Sequence, residues 1–229
     1  MATHLVTGAG SGIGAALAEV LAARGDALWL LVRDAGRAAQ LRERFPGAQT
    51  LVGDLADPAR LSWAFSHQSV PPRLDSLIHV AGVVELGAVG ETPVATWQHQ
   101  LNVNAVAPAE LTRLMLPALR TARGRVVFVN SGAGLRVSPE WGSYGASKFA
   151  VRAVADALRE EERANGVRVT TVYPGRAATP MQEKVHRQEG ADYDASQWID
   201  PASVASAILA ALDLPRDADL TELTVRPGA

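Results

Sequence analysis

Short apolar runs alternate with longer segments of helical period along the whole chain. The apolar runs predict seven β-strands, several of them apolar on both faces, as a sheet covered by helices on each side requires. The predicted strands are Leu5–Thr7, Ala27–Val32, Gln49–Val52, Ser76–Val80, Arg125–Asn130, Arg168–Tyr173 and Leu220–Val225. This alternation of strands and helices indicates βαβ units and therefore a doubly wound α/β fold built on a parallel sheet.

Six segments rich in Ala, Leu and Arg carry the helical period. The predicted helices are Ile13–Arg24, Arg37–Arg44, Pro58–Ser66, Val94–Arg120, Gly142–Ala164 and Pro201–Leu212. Asp57 and Asp200 each precede a proline that suits the first turn of a helix, so both are predicted N-caps.

One polar stretch, Pro180–Gln197, has no clean period and contains Gly190. It is predicted to be a mobile loop with about one helical turn. A loop of this length in a compact domain is typical of a lid, so we expect it to cover a substrate. No repeat or linker interrupts the pattern, and residues 1–229 are predicted to form a single domain.

Composition and charge narrow the class of protein. Hydrophobic residues make up 48% of the chain and aromatic residues only 5%, so Ala, Val and Leu must fill the core. Cysteine is absent, which excludes disulfides, thiolate metal sites and a cysteine nucleophile. The net charge of −2 leaves no cationic surplus for a nucleic acid, and no apolar stretch reaches membrane-spanning length. We therefore expect a cytoplasmic protein that binds neither nucleic acid nor membrane.

The first strand leads directly into a glycine-rich run, Thr7–Gly14, and a helix follows. A pyrophosphate needs backbone N–H groups aimed at it and no side chain in the way, which a glycine loop at a helix N-terminus provides. A glycine-rich turn with no ligand is the alternative, because the glycine pattern alone is weak. The strand before the loop and the helix after it favour dinucleotide binding, with Gly8, Gly12 and Gly14 in the loop.

The residue after the second strand bears on the choice of dinucleotide. Arg33 stands where an NAD site would have an acidic residue, and its guanidinium suits a 2′-phosphate, so NADP(H) is predicted over NAD(H). Asp34 could instead turn inward, and Arg33 could simply be solvated. Asp54, after the third strand, could accept a hydrogen bond from the adenine amino group or could form a local turn.

A tyrosine and a lysine lie four residues apart on the predicted helix Gly142–Ala164, so Tyr144 and Lys148 project from one face. A phenol with a pKa of about 10 is a poor proton relay near neutrality. A nearby ammonium and a cationic nicotinamide favour phenolate, so we expect a lowered Tyr144 pKa. Ser131 ends the fifth strand, and it could polarise a carbonyl oxygen while Tyr144 exchanges its proton.

In order and spacing, these residues resemble the short-chain dehydrogenases/reductases, the compact single-domain branch of the Rossmann fold. The residues that carry the resemblance are Thr7–Gly14, Asp54, Asn104, Ser131, Tyr144, Lys148, the Pro174-Gly175 pair and Thr179. The resemblance implies hydride transfer between a nicotinamide and a small carbonyl or alcohol substrate. It also implies a homodimer or homotetramer.

The resemblance further implies individual roles. Ser131 would position the substrate oxygen, Tyr144 would be the general acid or base, and Lys148 would bind the nicotinamide ribose and lower the tyrosine pKa. Asn104 would support a water-mediated proton path. The implied cofactor contacts are Thr7, Gly8, Ser11, Gly12, Ile13, Gly14, Arg33, Asp54, Leu55, Ala81, Gly82, Tyr144, Lys148, Pro174, Gly175, Ala177 and Thr179.

The sequence departs from the family pattern after the fourth strand, where His79-Val80 replaces the common Asn-Asn. His79 could substitute as a hydrogen-bond donor or be a buried structural histidine. This departure motivates an alternative function, a catalytically silent nucleotide sensor or scaffold on the same fold. The other histidines show no paired ligand spacing, so no metal is expected. Trp141, one turn before Tyr144, could wall the substrate pocket or lie at the surface.

Overall fold

The computed structural model describes residues 1–228 and confirms all seven predicted strands. They are β1 (Thr3–Thr7), β2 (Ala27–Val32), β3 (Gln49–Val52), β4 (Ser76–His79), β5 (Arg125–Val129), β6 (Arg168–Pro174) and β7 (Glu222–Val225). All neighbouring strands pair in parallel, in the order β3-β2-β1-β4-β5-β6-β7. The strand order reverses between β1 and β4, and ligands of doubly wound folds bind at such a switch point.

Within residues 1–228, eight α-helices connect the strands. They are α1 (Gly12–Ala23), α2 (Ala35–Arg44), α3 (Leu61–Ser66), α4 (Val94–Leu101), α5 (Ala107–Ala122), α6 (Gly142–Glu162), α7 (Pro180–Glu189) and α8 (Pro201–Asp213). Asp200 caps α8 as predicted, since its carboxylate accepts a hydrogen bond from the Ala202 N–H at 2.8 Å. Asp57 makes no such bond, and the predicted helix there starts with a short 3₁₀ turn, Pro58–Arg60. In the part of the chain the structure describes, no helix is long and apolar enough to cross a bilayer.

The sheet separates two apolar layers. Neighbouring β1 residues show the arrangement, because Leu5 packs into one layer and Val6 into the other, and both are completely buried. The layer on Val6 contains residues of α1, α2 and α8, whereas the layer on Leu5 contains residues of α3, α5 and α6. Each fully buried leucine or valine contributes about 1.5–3 kcal/mol, which explains why the central strands are apolar on both faces.

The predicted helix Val94–Arg120 is interrupted by one wide turn. Residues Asn102–Val106 form a π-helical turn between α4 and α5, and the Ala107 N–H donates to the Asn102 carbonyl. Pro108 explains the change, because it has no N–H to donate to the carbonyl of Asn104 four residues earlier. The wide turn carries Asn104 into the interior, where it is 2% exposed.

The prediction of a loop at Pro180–Gln197 was wrong, because its first ten residues form α7. Thr179 caps this helix by accepting a hydrogen bond from the Gln182 N–H, and Gly190 ends it with a φ of +66°. The apolar period was not visible because the buried face includes two polar side chains. Gln182 and His186 satisfy each other there with a hydrogen bond of 2.9 Å.

Candidate active site

A cleft of about 550 Å³ opens at the carboxyl ends of the central strands. Its size is within the range usual for small-molecule sites. Fourteen of the predicted site residues line it: Gly8, Ser11, Gly12, Ile13, Gly14, Ala81, Gly82, Ser131, Tyr144, Lys148, Pro174, Gly175, Ala177 and Thr179. Segments far apart in the sequence therefore meet in one cavity.

The glycine loop forms a cradle at the N-terminus of α1. Gly8 has a φ of +74°, and a Cβ there would lie 2.8 Å from the Ala81 nitrogen, so only glycine fits. A Cβ at Gly14 would overlap the Gly8 carbonyl oxygen. The Ser11 side chain makes no capping hydrogen bond, which leaves the first N–H groups of the helix for a ligand. This cradle fits the pyrophosphate of a dinucleotide.

Thr7 does not line the cleft but lies beneath the cradle. Its hydroxyl oxygen accepts hydrogen bonds from the N–H groups of Val80 and Ala81, both at 3.0 Å. Thr7 thus joins the end of β1 to the segment after β4. These bonds give Thr7 a positioning role, and its contact with the cofactor stays a prediction.

Three other predicted cofactor contacts also lie outside the residues that line the cleft: Arg33, Asp54 and Leu55. Asp54 forms the local turn that was its alternative, since its carboxylate accepts from the Ala56 N–H at 2.9 Å. Leu55 packs against the apolar layer on the α5 face. Arg33 projects into solvent with 77% of its side chain exposed.

Asp34 does not turn inward. It caps α2 by accepting a hydrogen bond from the Arg37 N–H at 2.8 Å, and this bond lowers the pKa of its carboxyl. Arg37, which no motif marked, lies against the glycine loop, where a Cβ on Gly10 would be 2.7 Å from Arg37 Nη2. The sequence contained one indication of it, a second basic residue four positions after Arg33.

The hydroxyl, phenol and amine of Ser131, Tyr144 and Lys148 meet inside the cleft. Ser131 follows β5, and its side chain interacts with the Tyr144 phenol. Lys148 Nζ lies 5.6 Å from the centre of the Tyr144 ring and donates to the Val129 carbonyl at 3.3 Å. Trp141 also lines the cleft, with its ring edge against Tyr144 at a centroid distance of 5.7 Å. Of its two predicted positions, Trp141 takes the one in the pocket wall.

The protein's own groups raise the pKa of Tyr144, whereas the predicted lowering also counted the positive charge of a nicotinamide. Burial raises it to about 12, and the interaction with Ser131 only partly opposes that shift. Burial also reduces the pKa of the Lys148 amine, to about 8, and this amine does not offset the effect of burial on the phenol. The protein's own groups therefore hold Tyr144 as a neutral phenol, which is a proton donor at neutral pH.

Replacing Lys148 with Met should stabilise the fold at pH 7. The depressed pKa of Lys148 means that burying its charged form costs about 3 kcal/mol, so we expect a gain of about 1–3 kcal/mol in the free energy of unfolding. The folded state binds fewer protons than the unfolded state between the folded and unfolded pKa values. The wild-type penalty is therefore complete below pH 8 and disappears as the pH rises towards the unfolded value.

Urea unfolding of Lys148→Met and wild-type protein at pH 7 and at a pH above 9 measures this difference. The Tyr144 titration is common to both proteins and cancels in the comparison. An advantage for the variant that persists unchanged at the higher pH would contradict the assignment of the penalty to the Lys148 charge.

Asn104 lies behind the cleft and does not line it. Its amide donates to the Val83 carbonyl and to the Ser147 hydroxyl, both at 2.9 Å, and its oxygen accepts from the Val83 N–H at 2.8 Å. These bonds join the π turn, the segment after β4, and α6. The side chain therefore holds these three segments together, and its role in a water-mediated proton path stays a prediction.

His79 is a structural histidine, as its second interpretation held. It is 4% exposed, stacks on Phe128 at 4.8 Å and shares a hydrogen bond of 2.9 Å with the Thr112 hydroxyl. Burial lowers its pKa to about 3, so it stays neutral. Of the two residues that replace Asn-Asn, His79 is thus accommodated inside the sheet, whereas Val80 lines the cleft.

Several cleft residues had no motif to mark them. Asn130 donates to the Lys148 carbonyl at 3.0 Å and so fixes α6 against β5. The other polar members of this group are Arg136, Ser138, Arg176, Gln182 and Arg226. In residues 1–228 there is no cluster of three or more His, Asp or Glu side chains suited to a metal ion.

Comparisons of the sequence and of the structure with known proteins find short-chain dehydrogenases and other oxidoreductases. A family model for short chain dehydrogenases matches residues 2–190. An uncharacterized oxidoreductase of Staphylococcus saprophyticus is 30% identical over 230 residues, which cover 97% of this chain and 96% of that protein. An NADPH-dependent 3-dehydrocapnine reductase of Ornithobacterium rhinotracheale is 34% identical over 189 residues, 79% of this chain and 67% of that protein. The crystal structure of a short-chain dehydrogenase from Streptomyces avermitilis superimposes with a TM-score of 0.80 at 28% identity, covering 100% of this chain and 88% of that one.

Proposed function

The chain belongs to the short-chain dehydrogenase/reductase family of oxidoreductases, and on this premise we propose that it is an NADP(H)-dependent carbonyl reductase or alcohol dehydrogenase. One observation supports the proposal most directly, the meeting of Ser131, Tyr144 and Lys148 in the cleft that also holds the glycine cradle. A bound nicotinamide dinucleotide would supply or accept the hydride at the substrate carbon.

The protein's own residues would handle the oxygen and its proton. The Ser131 hydroxyl donates a hydrogen bond to the carbonyl oxygen and polarises it. The Tyr144 phenol is protonated at neutral pH and would give its proton to the same oxygen during reduction. Its pKa of about 12 makes it a weak acid, so the positive charge of Lys148 would assist the transfer. Lys148, held beside the ring, would bind a hydroxyl of the nicotinamide ribose and would supply positive charge when Tyr144 loses its proton.

Ala81, Gly82, Pro174, Gly175 and the backbone of Ala177 would form the wall around the nicotinamide. The Thr179 hydroxyl lies at the same wall and would contact the carboxamide. In this proposal α7, which starts directly after Thr179, brings Met181 and Val185 over the cleft, so residues 180–197 act as the lid of a single domain.

A catalytically silent nucleotide sensor remains the alternative in a different class. It was motivated by His79-Val80; His79 is buried in the sheet, and Val80 places an apolar side chain where the family commonly has an amide. A panel of carbonyl compounds with NADPH, followed by the loss of reduced-cofactor absorbance, separates the two functions. Oxidation of NADPH with any member supports the reductase, whereas tight NADPH binding without oxidation across the panel supports the sensor.

We expect NADP(H) to be preferred because Arg33 follows β2 in place of an acid and Arg37 lies against the glycine loop. The neighbouring Asp34 caps α2, and its second carboxylate oxygen lies 3.5 Å from Arg33 Nε. A similar protein named NADPH-dependent supports the same preference. Arg33→Asp should raise the KM for NADPH about 10- to 100-fold and change the KM for NADH little, since one charge-assisted contact is lost.

Steady-state kinetics with both cofactors measures this change. Arg42→Asp is a matched control on α2, because it makes the same exchange of charge at an exposed position away from the cleft. A wild-type protein that binds NADH more tightly than NADPH would refute the preference.

We also expect a homodimer or homotetramer. Exposed apolar side chains on α4, α6 and the π turn support this, namely Val94, Phe149 and Val106. Helix faces of this kind commonly pair across a two-fold axis. Light scattering coupled to gel filtration measures the state.

A further inference from the structure

The charged residues that line the cleft are all cationic. They are Arg136, Lys148, Arg176 and Arg226, and no acidic residue is among the lining residues of the described chain. A cavity with one sign of charge attracts ligands of the opposite sign. The phosphates of a dinucleotide would bind at the α1 cradle. A cation that lies elsewhere in the cleft is therefore available for an anionic group of the substrate.

Two of the four cations are already engaged. Arg176 makes a paired ion bridge to Glu189, with distances of 2.7 and 2.6 Å, and its guanidinium lies between the rings of Trp141 and Trp198. Lys148 is buried beside Tyr144. In contrast, within residues 1–228 neither Arg136 nor Arg226 has a carboxylate at ion-pair distance.

Both of these arginines lie at the loop that follows Ser131. Arg226 follows β7 and rests on Gly132, where a Cβ would be 2.8 Å from Arg226 Nη1. Arg136 belongs to the same loop, and its N–H donates to the Gly132 carbonyl at 3.1 Å. Gly132 directly follows Ser131, the residue proposed to hold the substrate oxygen.

From this arrangement we infer that the substrate is an oxo acid, a carbonyl compound with a carboxylate that Arg136 and Arg226 bind while Ser131 and Tyr144 engage the carbonyl. The inference rests on the proposed function. Guanidinium groups bind carboxylates through paired charge-assisted hydrogen bonds, which fix orientation as well as add affinity. In the reaction the carbonyl carbon gains a hydride from NADPH, the oxygen gains the Tyr144 proton, and NADP⁺ and the hydroxy acid leave with the carboxylate unchanged.

The test compares oxo acids with their methyl esters. The panel includes acids whose carboxylate is next to the carbonyl and acids whose carboxylate is one carbon further away. We expect kcat/KM to favour the acid about 10- to 100-fold in the wild-type protein, the effect of one or two charge-assisted hydrogen bonds. In Arg136→Gln and Arg226→Gln that preference should fall towards one, mainly through KM for the acid, with ester turnover retained. Arg163→Gln, at an exposed site just after the C-terminal end of α6, is the matched control.

The possible outcomes separate this inference from the proposed function. Equal turnover of acids and esters, or a preference that survives both substitutions, overturns the oxo-acid inference and leaves the reductase standing. A preference for a phosphorylated hydroxyketone over the oxo acids also overturns it, since the anion would then be a phosphate. If no compound in the panel is reduced, the proposed function fails. Thermal-shift measurements in the presence of NADP⁺ then test whether the protein still binds the oxo acid. If the acid raises the melting temperature of the wild-type protein but not of Arg226→Gln, and the ester raises neither, the result supports the carboxylate site. If the acid does not raise the melting temperature of the wild-type protein, the carboxylate site is overturned.

Discussion

Tyr144→Phe is expected to lower kcat by roughly 10²–10⁴-fold, the usual contribution of a general acid or base, while the affinity for NADPH stays nearly unchanged. The substitution removes only the hydroxyl. The ring keeps its edge contact with Trp141 and its buried position, so the walls of the cleft are preserved. Reduction then lacks a proton donor beside the Ser131 hydroxyl. Single-turnover kinetics and equilibrium titration with NADPH measure the two effects separately.

Tyr173→Phe provides a matched control, since it also removes a tyrosine hydroxyl from a buried ring. The Tyr173 hydroxyl donates to Glu222 at 3.0 Å, outside the cleft, and its loss should leave turnover unchanged. A Tyr144→Phe enzyme with wild-type kcat would exclude Tyr144 as the proton donor. Loss of NADPH binding in the same variant would mean that the substitution disturbs the cofactor site and not the proton transfer.

The strands were the most predictable part of the fold, because a strand that is buried on both faces appears in the sequence as a run of consecutive apolar residues. β1 shows the cause, since Leu5 and Val6 supply opposite layers and polar residues are excluded from both positions. The glycine cradle was equally readable, because Gly8 and Gly14 are required by backbone contacts between neighbouring segments. In each case a local requirement restricts the residue type.

Features that depend on tertiary contacts were not readable. α7 has a buried face on which Gln182 and His186 satisfy one another, so no apolar period announces the helix. The pKa of Tyr144 depends on how deeply the fold buries both the phenol and the Lys148 amine, and the four-residue spacing contains no information on depth. Arg226 reaches the cleft only because β7 pairs with β6 and ends beside Gly132.

For two residues, the sequence predicted that they belong to the site but not how their side chains act. Thr7 and Asn104 belong to the motifs that carried the family resemblance, yet neither lines the cleft. Both act through backbone groups, Thr7 on Ala81 and Asn104 on Val83, and so shape the segment after β4. A motif residue can therefore mark the site correctly while its own side chain supports the wall from behind.

Gly14→Ala is expected to have the second large effect, a loss of NADPH affinity of more than about 10-fold together with a loss of about 1–3 kcal/mol in stability, the usual cost of overpacking. The added methyl would overlap the Gly8 carbonyl oxygen, which is backbone and cannot rotate away. Relief requires α1 to move from the end of β1, and that movement misaligns the N–H groups of the cradle. NADPH titration and urea unfolding measure both losses.

Gly90→Ala separates the cradle from a general effect of replacing glycine. A Cβ on Gly90 would have no neighbour within 4 Å, so neither NADPH affinity nor stability should change beyond a few tenths of a kcal/mol. If Gly14→Ala bound NADPH like the wild type, the close contact between Gly14 and Gly8 would not be what shapes the phosphate site. If Gly14→Ala lost stability but kept its affinity, the contact would serve the packing of α1 alone, and the cradle would need another origin.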